Sequence, residues 1–281
     1  MAQTDRPEPD PVPSAGRNLP LAVGSAVLFA VLFLASAVVS KWALLAFVAL
    51  AVVIAVLEVD AALRIAAARP PTAVVLVAGL AMLAAAFVYG ARGQLAAVVV
   101  MVLAVVAWTL ADRADPAPLH SAGSGLLIGM WVPFLASFIA LLLRRPDGQW
   151  YVILTVLLTA ASDIFAYAVG YRFGRHKLAP AVSPAKTWEG VAGGMVGAMV
   201  VGAVAGPLLI DELFVGHAVA LGALVAIVAV IGDLAESAVK RSLGVKDLGR
   251  LLPGHGGMMD RVDAMLFTLP VAHIVLLAGR L

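Results

Sequence analysis

Apolar stretches of membrane-spanning length run through almost the whole chain and decide what it can fold into. A helix that crosses a bilayer needs about 20 mostly apolar residues. Hydropathy marks nine such stretches, at residues 19–39, 42–59, 72–90, 94–111, 123–143, 149–170, 189–209, 217–239 and 263–280. The chain is 63% hydrophobic and 13% charged, whereas about a quarter of a water-soluble domain is charged. The sequence therefore predicts an all-α, polytopic integral membrane protein with about nine transmembrane helices.

The basic residues predict how these helices are oriented. If the N-terminus is cytoplasmic, the inside segments hold 14 of the 19 Lys and Arg residues. The outside segments then hold only Lys41, Arg92, Arg144, Arg145 and Arg280. Because cytoplasmic loops are enriched in positive charge, we expect a cytoplasmic N-terminus and an external C-terminus. The cell (plasma) membrane is the expected location.

Composition divides the chain into three regions. Residues 1–18 interleave prolines with acidic residues, so they favour a disordered cytoplasmic tail. Residues 19–145 form N-terminal transmembrane helices with few charges, and residues 146–281 form a C-terminal transmembrane region that holds the candidate catalytic residues. A net charge of +2 does not indicate a nucleic-acid partner. The absence of cysteine excludes disulfides and thiolate metal sites.

Two aspartates lie inside predicted spans of the last region. Asp163 lies about seven residues, or roughly 10 Å, from the cytoplasmic end of its helix, and Asp233 lies at a similar depth. An ionised carboxylate at that depth costs on the order of a few kcal/mol unless it is paired, hydrated or metal-bound. A structural hydrogen bond between helices is one interpretation. The matched depth of the two acids favours a shared polar cavity.

Groups suited to binding anions occur on the same predicted side. Ser183, Lys186 and Thr187 stand at the mouth of a helix, where the positive end of the helix dipole favours phosphate. Gly256 and Gly257 can expose backbone N–H groups to an anion. The sequence thus predicts phosphate recognition at this surface.

Acids and bases share helix faces in the last predicted spans. Asp233, Ser237 and Lys240 are spaced i, i+4 and i+7, and Asp260 and Asp263 are three residues apart. Carboxylates suit Mg²⁺, and lysine and arginine suit phosphates. Transfer of a phosphoryl or nucleotidyl group needs both, since it is catalysed largely by positioning and charge neutralisation.

The spacing of these residues resembles the signature of the phosphatidate cytidylyltransferase (CDP-diacylglycerol synthase) family. The resemblance is strong over roughly the last 120 residues, and the first half supports it by hydropathy alone. Upstream, Asp163, Tyr167 and Gly170 also match the family pattern, as does the block from Ser183 to Gly190. The signature positions shared in the last segment are Ser237, Lys240, Arg241, Lys246, Asp247, Gly249, Leu252, Pro253, His255, Gly256, Gly257, Asp260, Arg261 and Asp263.

The resemblance implies Mg²⁺-dependent transfer from CTP to phosphatidate, giving CDP-diacylglycerol and pyrophosphate in phospholipid biosynthesis. A second metal ion is left open. Carried over by position, Asp233 and Asp260 are the principal metal ligands, with Asp163, Asp247 and Asp263 as supporting acids. Among these, Asp163 and Asp263 are also predicted as metal ligands. The cations of the catalytic set are Lys240, Arg241, Lys246 and Arg261. The substrate-binding positions are Ser183, Lys186, Thr187, Ser237, Asp247, His255, Gly256 and Gly257.

Some details stay open at this point. Ala185 stands where many relatives carry a second lysine, so Lys186 is expected to provide more of the phosphate contact. His255 is compatible with contact to the base, contact to a phosphate, or a loop cap. Membrane lipids are expected partners besides the two substrates, and a homodimer is left open.

Two other functions compete with this interpretation. In a transporter or channel, Asp163 and Asp233 would be coupling groups inside the membrane, but the dense polar run near the C-terminus would then have no role. A related CTP-dependent enzyme could act on an isoprenoid phosphate or alcohol, since the acceptor would be chosen by the apolar first half. The aspartate pattern of CDP-alcohol phosphotransferases does not occur.

Overall fold

Long helices make up nearly all of the structure. The computed structural model describes residues 19–211, 213–249 and 256–278, so the predicted tail at 1–18 lies outside the described residues. The helices are α1 (Leu19–Val39), α2 (Lys41–Ile65), α3 (Thr72–Tyr89), α4 (Ala91–Ala111), α5 (Pro118–Gly129), α6 (Leu135–Leu143), α7 (Gly148–Phe173), α8 (Trp188–Leu209), α9 (Val215–Ser242) and α10 (Met259–Ala278). Helices α5 and α6 form one rod, joined by a π-helical turn (Met130–Phe134) that contains Pro133.

Each predicted span coincides with a helical rod in the described part of the chain. Seven of these rods are long and apolar enough to cross a membrane. The chain is therefore a helical, polytopic integral membrane protein. A total of nine crossings and a cytoplasmic N-terminus stay predictions, as does a boundary between regions at residue 145, which falls in the connection between α6 and α7.

A short hairpin, where the sequence predicts only a loop, is the exception to the helical architecture. Strands β1 (Lys177–Ala179) and β2 (Ser183–Thr187) pair antiparallel between α7 and α8. The strands satisfy each other's backbone groups, and they are too short to show an alternating apolar pattern. Glu189, on the first turn of α8, accepts the backbone N–H groups of Arg175 and His176 at 3.1 and 3.2 Å. The hairpin is thereby fastened to α8.

Glycines allow the backbones of α7, α8 and α9 to approach closely. A Cβ atom on Gly194 of α8 would lie 2.7 Å from the Ser162 carbonyl oxygen of α7, and one on Gly222 of α9 would lie 2.4 Å from the Ala198 carbonyl oxygen of α8. Small residues at such positions are typical of membrane helix interfaces. This packing sets the end of β2 beside the polar parts of α7 and α9.

Helices α9 and α10 also meet at a glycine. A Cβ atom on Gly232 would lie 3.0 Å from the Asp263 carbonyl oxygen and 2.9 Å from the Phe267 ring. Gly232 directly precedes Asp233 in the chain. The close approach therefore brings the acidic side chains of the two helices to the same place.

The glycine contact between α8 and α9 can be tested by a matched pair of alanine substitutions. We expect Gly222→Ala to lower the melting temperature in detergent, because overpacking of this kind costs about 1–3 kcal/mol. Gly123→Ala is the control, since a Cβ atom there meets nothing within 4 Å. Equal melting temperatures for the two variants, measured by intrinsic fluorescence, would contradict the packing argument.

Candidate active site

Three carboxylates converge between α9 and α10. Ligand oxygens of Asp233, Glu236 and Asp263 all lie within 4.8 Å of one another. Glu236 is 1% exposed and Asp263 is 8% exposed. Carboxylate oxygens are the ligands that hard divalent cations such as Mg²⁺ prefer. The donor set therefore fits a divalent metal ion.

Helical spacing explains why these three side chains meet. Asp233 and Glu236 are three residues apart and share the face of α9 that contacts α10. Asp263 lies in the second turn of α10, beside Gly232. The sequence predicted Asp233 and Asp263 as metal ligands but did not select Glu236, whose burial depends on how the two helices pack.

Lys240 joins the two helices by its charge. Its Nζ atom lies 2.7 Å from Glu236 Oε2 and 2.5 Å from Asp260 Oδ1. The other oxygen of Asp260 accepts the backbone N–H of Gly257 at 2.6 Å. The structure thus places Asp260 beside the three-carboxylate cluster and in contact with Lys240, while the role of Asp260 as a metal ligand stays a prediction.

The hairpin contributes a second cation. Lys186 of β2 forms an ion pair with Asp233, so the predicted phosphate-binding lysine and the predicted metal ligand are in contact. Asp163 of α7 lies close enough to interact electrostatically with Asp233, Asp263 and Lys186. Thr187 is 5% exposed, and its side chain accepts the Gly190 N–H at 3.1 Å. It therefore caps the N-terminus of α8.

The other predicted residues differ in their burial and in their contacts. Arg241 is exposed at the end of α9, and its Nε atom donates to the Val182 carbonyl oxygen at 3.4 Å. Lys246 and Asp247 are exposed in the segment after α9. Predicted residues that are partly buried are Ser183, Ser237, Gly256 and Arg261, and His255 lies outside the described residues.

A cavity of mixed polarity lies between α2 and the segment that follows α9. Its volume is about 810 Å³, and Lys246 and Asp247 line it together with Glu58 of α2. The sequence assigned no role to Glu58, because its position at the end of an apolar helix carries no motif. The structure places it against the segment that leads into α10.

An apolar cavity of about 350 Å³ lies between helices from both halves of the chain. Side chains of α1, α2, α6, α7 and α10 line it, among them Phe33, Ala51, Ala160 and Met265. Val262, which stands between Arg261 and Asp263 in the chain, also lines it. The acidic cluster and the apolar cavity are therefore neighbours at the start of α10.

Comparison with known proteins agrees with this arrangement. The sequence matches the cytidylyltransferase family over residues 21–278. A phosphatidate cytidylyltransferase of Mycobacterium bovis is 35% identical over 93% of this chain and 89% of its own length. The Mycobacterium leprae protein of that name is 36% identical over 94% of this chain and 89% of its own length. One from Thermotoga maritima is 38% identical over 60% of this chain and 65% of its own length.

The matched region contains every helix that contributes to the acidic cluster and both cavities. The site and the sequence similarity thus lead to the same conclusion. The chain belongs to the cytidylyltransferase family.

Proposed function

We propose that this protein is a phosphatidate cytidylyltransferase, which converts CTP and phosphatidate to CDP-diacylglycerol and pyrophosphate. The observation that carries the proposal is the cluster of Asp233, Glu236 and Asp263 flanked by Lys186 and Lys240. Such a site combines ligands for a divalent cation with ammonium groups for phosphates. The mycobacterial relatives of that name cover nearly the whole chain.

Asp233, Glu236 and Asp263 would hold Mg²⁺, with Asp163 as a further acid nearby. Asp260 stays a candidate ligand, because a carboxylate oxygen that already accepts one hydrogen bond retains a lone pair. Bound Mg²⁺ would neutralise charge on the CTP phosphates. The proposed activity therefore requires Mg²⁺.

The reaction transfers the cytidylyl group in one displacement. A phosphate oxygen of phosphatidate attacks the α-phosphorus of CTP, the bond from that phosphorus to the β-phosphate oxygen breaks, and pyrophosphate leaves. The attacking oxygen is already ionised at neutral pH, so no strong general base is required. Lys186 and Lys240 would stabilise the charge of the phosphates, together with Arg241, Lys246 and Arg261.

The apolar cavity suits the acyl part of the acceptor. It is lined almost wholly by apolar side chains and reaches Val262 beside Asp263. When the phosphate of a lipid lies at the acidic cluster, its acyl chain can therefore occupy this cavity and remain in apolar surroundings. The proposal sets this site at the cytoplasmic face of the plasma membrane, where CTP arrives from water.

Substrate dependence is the first test of the proposed activity. We expect the purified protein in detergent to incorporate label from CTP into lipid only when phosphatidate and Mg²⁺ are both supplied. Turnover with an isoprenoid phosphate but not with phosphatidate would contradict the proposed acceptor. Ion flux in liposomes without nucleotide chemistry would contradict the enzyme class.

Removal of single charges in the acidic cluster tests the proposed metal site. We expect Asp233→Asn and Asp263→Asn to lower turnover at least about 100-fold, the upper end of the cost of losing even an outer-shell partner. Asp112→Asn is the control, because Asp112 is exposed after α4 and its contact to the Ala114 N–H needs only an oxygen acceptor. Equal activity of all three variants at matched protein levels would remove the metal assignment.

Filling the apolar cavity tests the position of the acyl chain. We expect Ala160→Phe to shift preference toward phosphatidate with shorter chains, because the added ring occupies the cavity that Ala160 lines. Ala81→Phe is the matched control, since Ala81 is exposed on α3 and outside the cavity. The measurement is the ratio of kcat/KM for dioctanoyl and dioleoyl phosphatidate. An unchanged ratio in Ala160→Phe would place the acyl chain elsewhere.

A further inference from the structure

Glu58 is a buried acid in the half of the chain where motifs are silent. It lies on α2 and is 9% exposed. Its Oε2 atom accepts the backbone N–H of Met259 at 2.9 Å, across 201 residues of sequence. Its Oε1 atom is buried and has no hydrogen-bond partner among the described residues, which leave out 250–255. Burying a carboxylate costs free energy of folding, which points to a role for Glu58 besides stabilising the fold.

Two glycines of the C-terminal segment close on this carboxylate. A Cβ atom at Gly249 would lie 2.2 Å from Glu58 Oε1, and one at Gly257 would lie 2.4 Å from Glu58 Oε2. The backbone at Gly257 is in a conformation open to any residue, since a positive φ occurs at Gly256 and not at Gly257. A side chain at position 257 would therefore have to displace the Glu58 carboxylate.

The same glycine connects Glu58 to the acidic cluster. The Gly257 N–H donates to Asp260, and Asp260 contacts Lys240. Met259, which donates to Glu58, is the first residue of α10, and the free N–H groups at a helix start are stabilised by an anion. Glu58 thus holds the turn of α10 that carries Asp260 and leads to Asp263.

We propose that Glu58 is a positioning residue for the active site, which orients the start of α10 so that its two aspartates meet the acids and the lysine of α9. The proposal rests on the proposed function, because it takes these aspartates to act on Mg²⁺ and CTP. It gives the N-terminal half a part in catalysis besides forming the apolar cavity.

The first experiment compares variants of Glu58 by their Mg²⁺ dependence. We expect Glu58→Ala to raise the half-saturating Mg²⁺ concentration and to lower kcat. At limiting Mg²⁺ the two effects together should reduce activity ~10- to 100-fold, as for other residues that orient metal ligands. Glu58→Gln keeps an oxygen acceptor for the Met259 N–H and should stay within about threefold of the wild type. A loss in Glu58→Gln as deep as in Glu58→Ala would overturn the positioning role.

Asp60→Asn is the matched control for loss of a buried acid on the same helix. Asp60 contacts Arg64 at 2.9 Å and Thr72 at 2.6 Å, and it makes no hydrogen bond or ion pair to a described residue of the C-terminal segment. We expect it to leave the half-saturating Mg²⁺ concentration unchanged, even if the protein melts at a lower temperature. A shift equal to that of Glu58→Ala would mean that general destabilisation explains both.

A double-mutant cycle tests the contact itself. Gly257→Ala should impair the enzyme by displacing the Glu58 carboxylate, so adding Gly257→Ala to Glu58→Ala should cost little more than Glu58→Ala alone. If the activity loss of the double variant instead equals the product of the two single losses, Gly257 acts independently of Glu58 and the proposed contact is contradicted.

Asp260→Asn, assayed in parallel, separates the two proposals. Wild-type turnover in Asp260→Asn would contradict the proposed function of this turn. An inactive Asp260→Asn together with wild-type Mg²⁺ dependence in Glu58→Ala would overturn only the positioning role.

Discussion

The cost of charge inside a membrane protein governs how this site is built. Two ammonium groups face four carboxylates of α9 and α10: Lys186 and Lys240 against Asp233, Glu236, Asp260 and Asp263. If all six are ionised, these groups together carry a net charge of −2. A divalent cation would neutralise this net negative charge. Removing either partner of one ion pair would leave the other partner as an unpaired buried charge. The ion pairs and the proposed metal ion are therefore parts of one electrostatic balance.

Close packing of backbones makes this balance achievable. The acidic side chains are short, so they meet only if α9 and α10 approach closely, which Gly232 allows. The hairpin lysine reaches Asp233 because glycines of α8 seat this helix directly against α7 and α9. Helix packing thus sets the distances between the charged groups, and these distances allow the ion pairs to form. A bulkier residue at Gly232 would separate the acids without removing any of them.

Hydropathy was sufficient to predict the helices, because a membrane-crossing segment must satisfy its own backbone and cover itself with apolar side chains. The depth of Asp163 and Asp233 within predicted spans was sufficient to select them, because an ionised carboxylate at that depth is costly unless it is paired, hydrated or metal-bound. Glu236 and Glu58 could not be selected in this way. Their burial arises from contacts between elements distant in sequence, and neither lies at a position that a local pattern marks. The hairpin was missed because its strands are too short to show an alternation of apolar and polar residues.

The division of labour between the two halves follows from the kind of interaction each supplies. Metal and phosphate contacts need particular atoms at particular positions, so the C-terminal half shows them as a motif. An apolar cavity needs only volume and shape, which many side-chain combinations provide, so the N-terminal half shows hydropathy alone. Glu58 is an exception to this division, because it lies on an apolar N-terminal helix and yet accepts a specific hydrogen bond from the start of α10. Coupling between α2 and the chemistry would therefore pass through the Glu58 contact as well as through the apolar cavity that α2 helps to line.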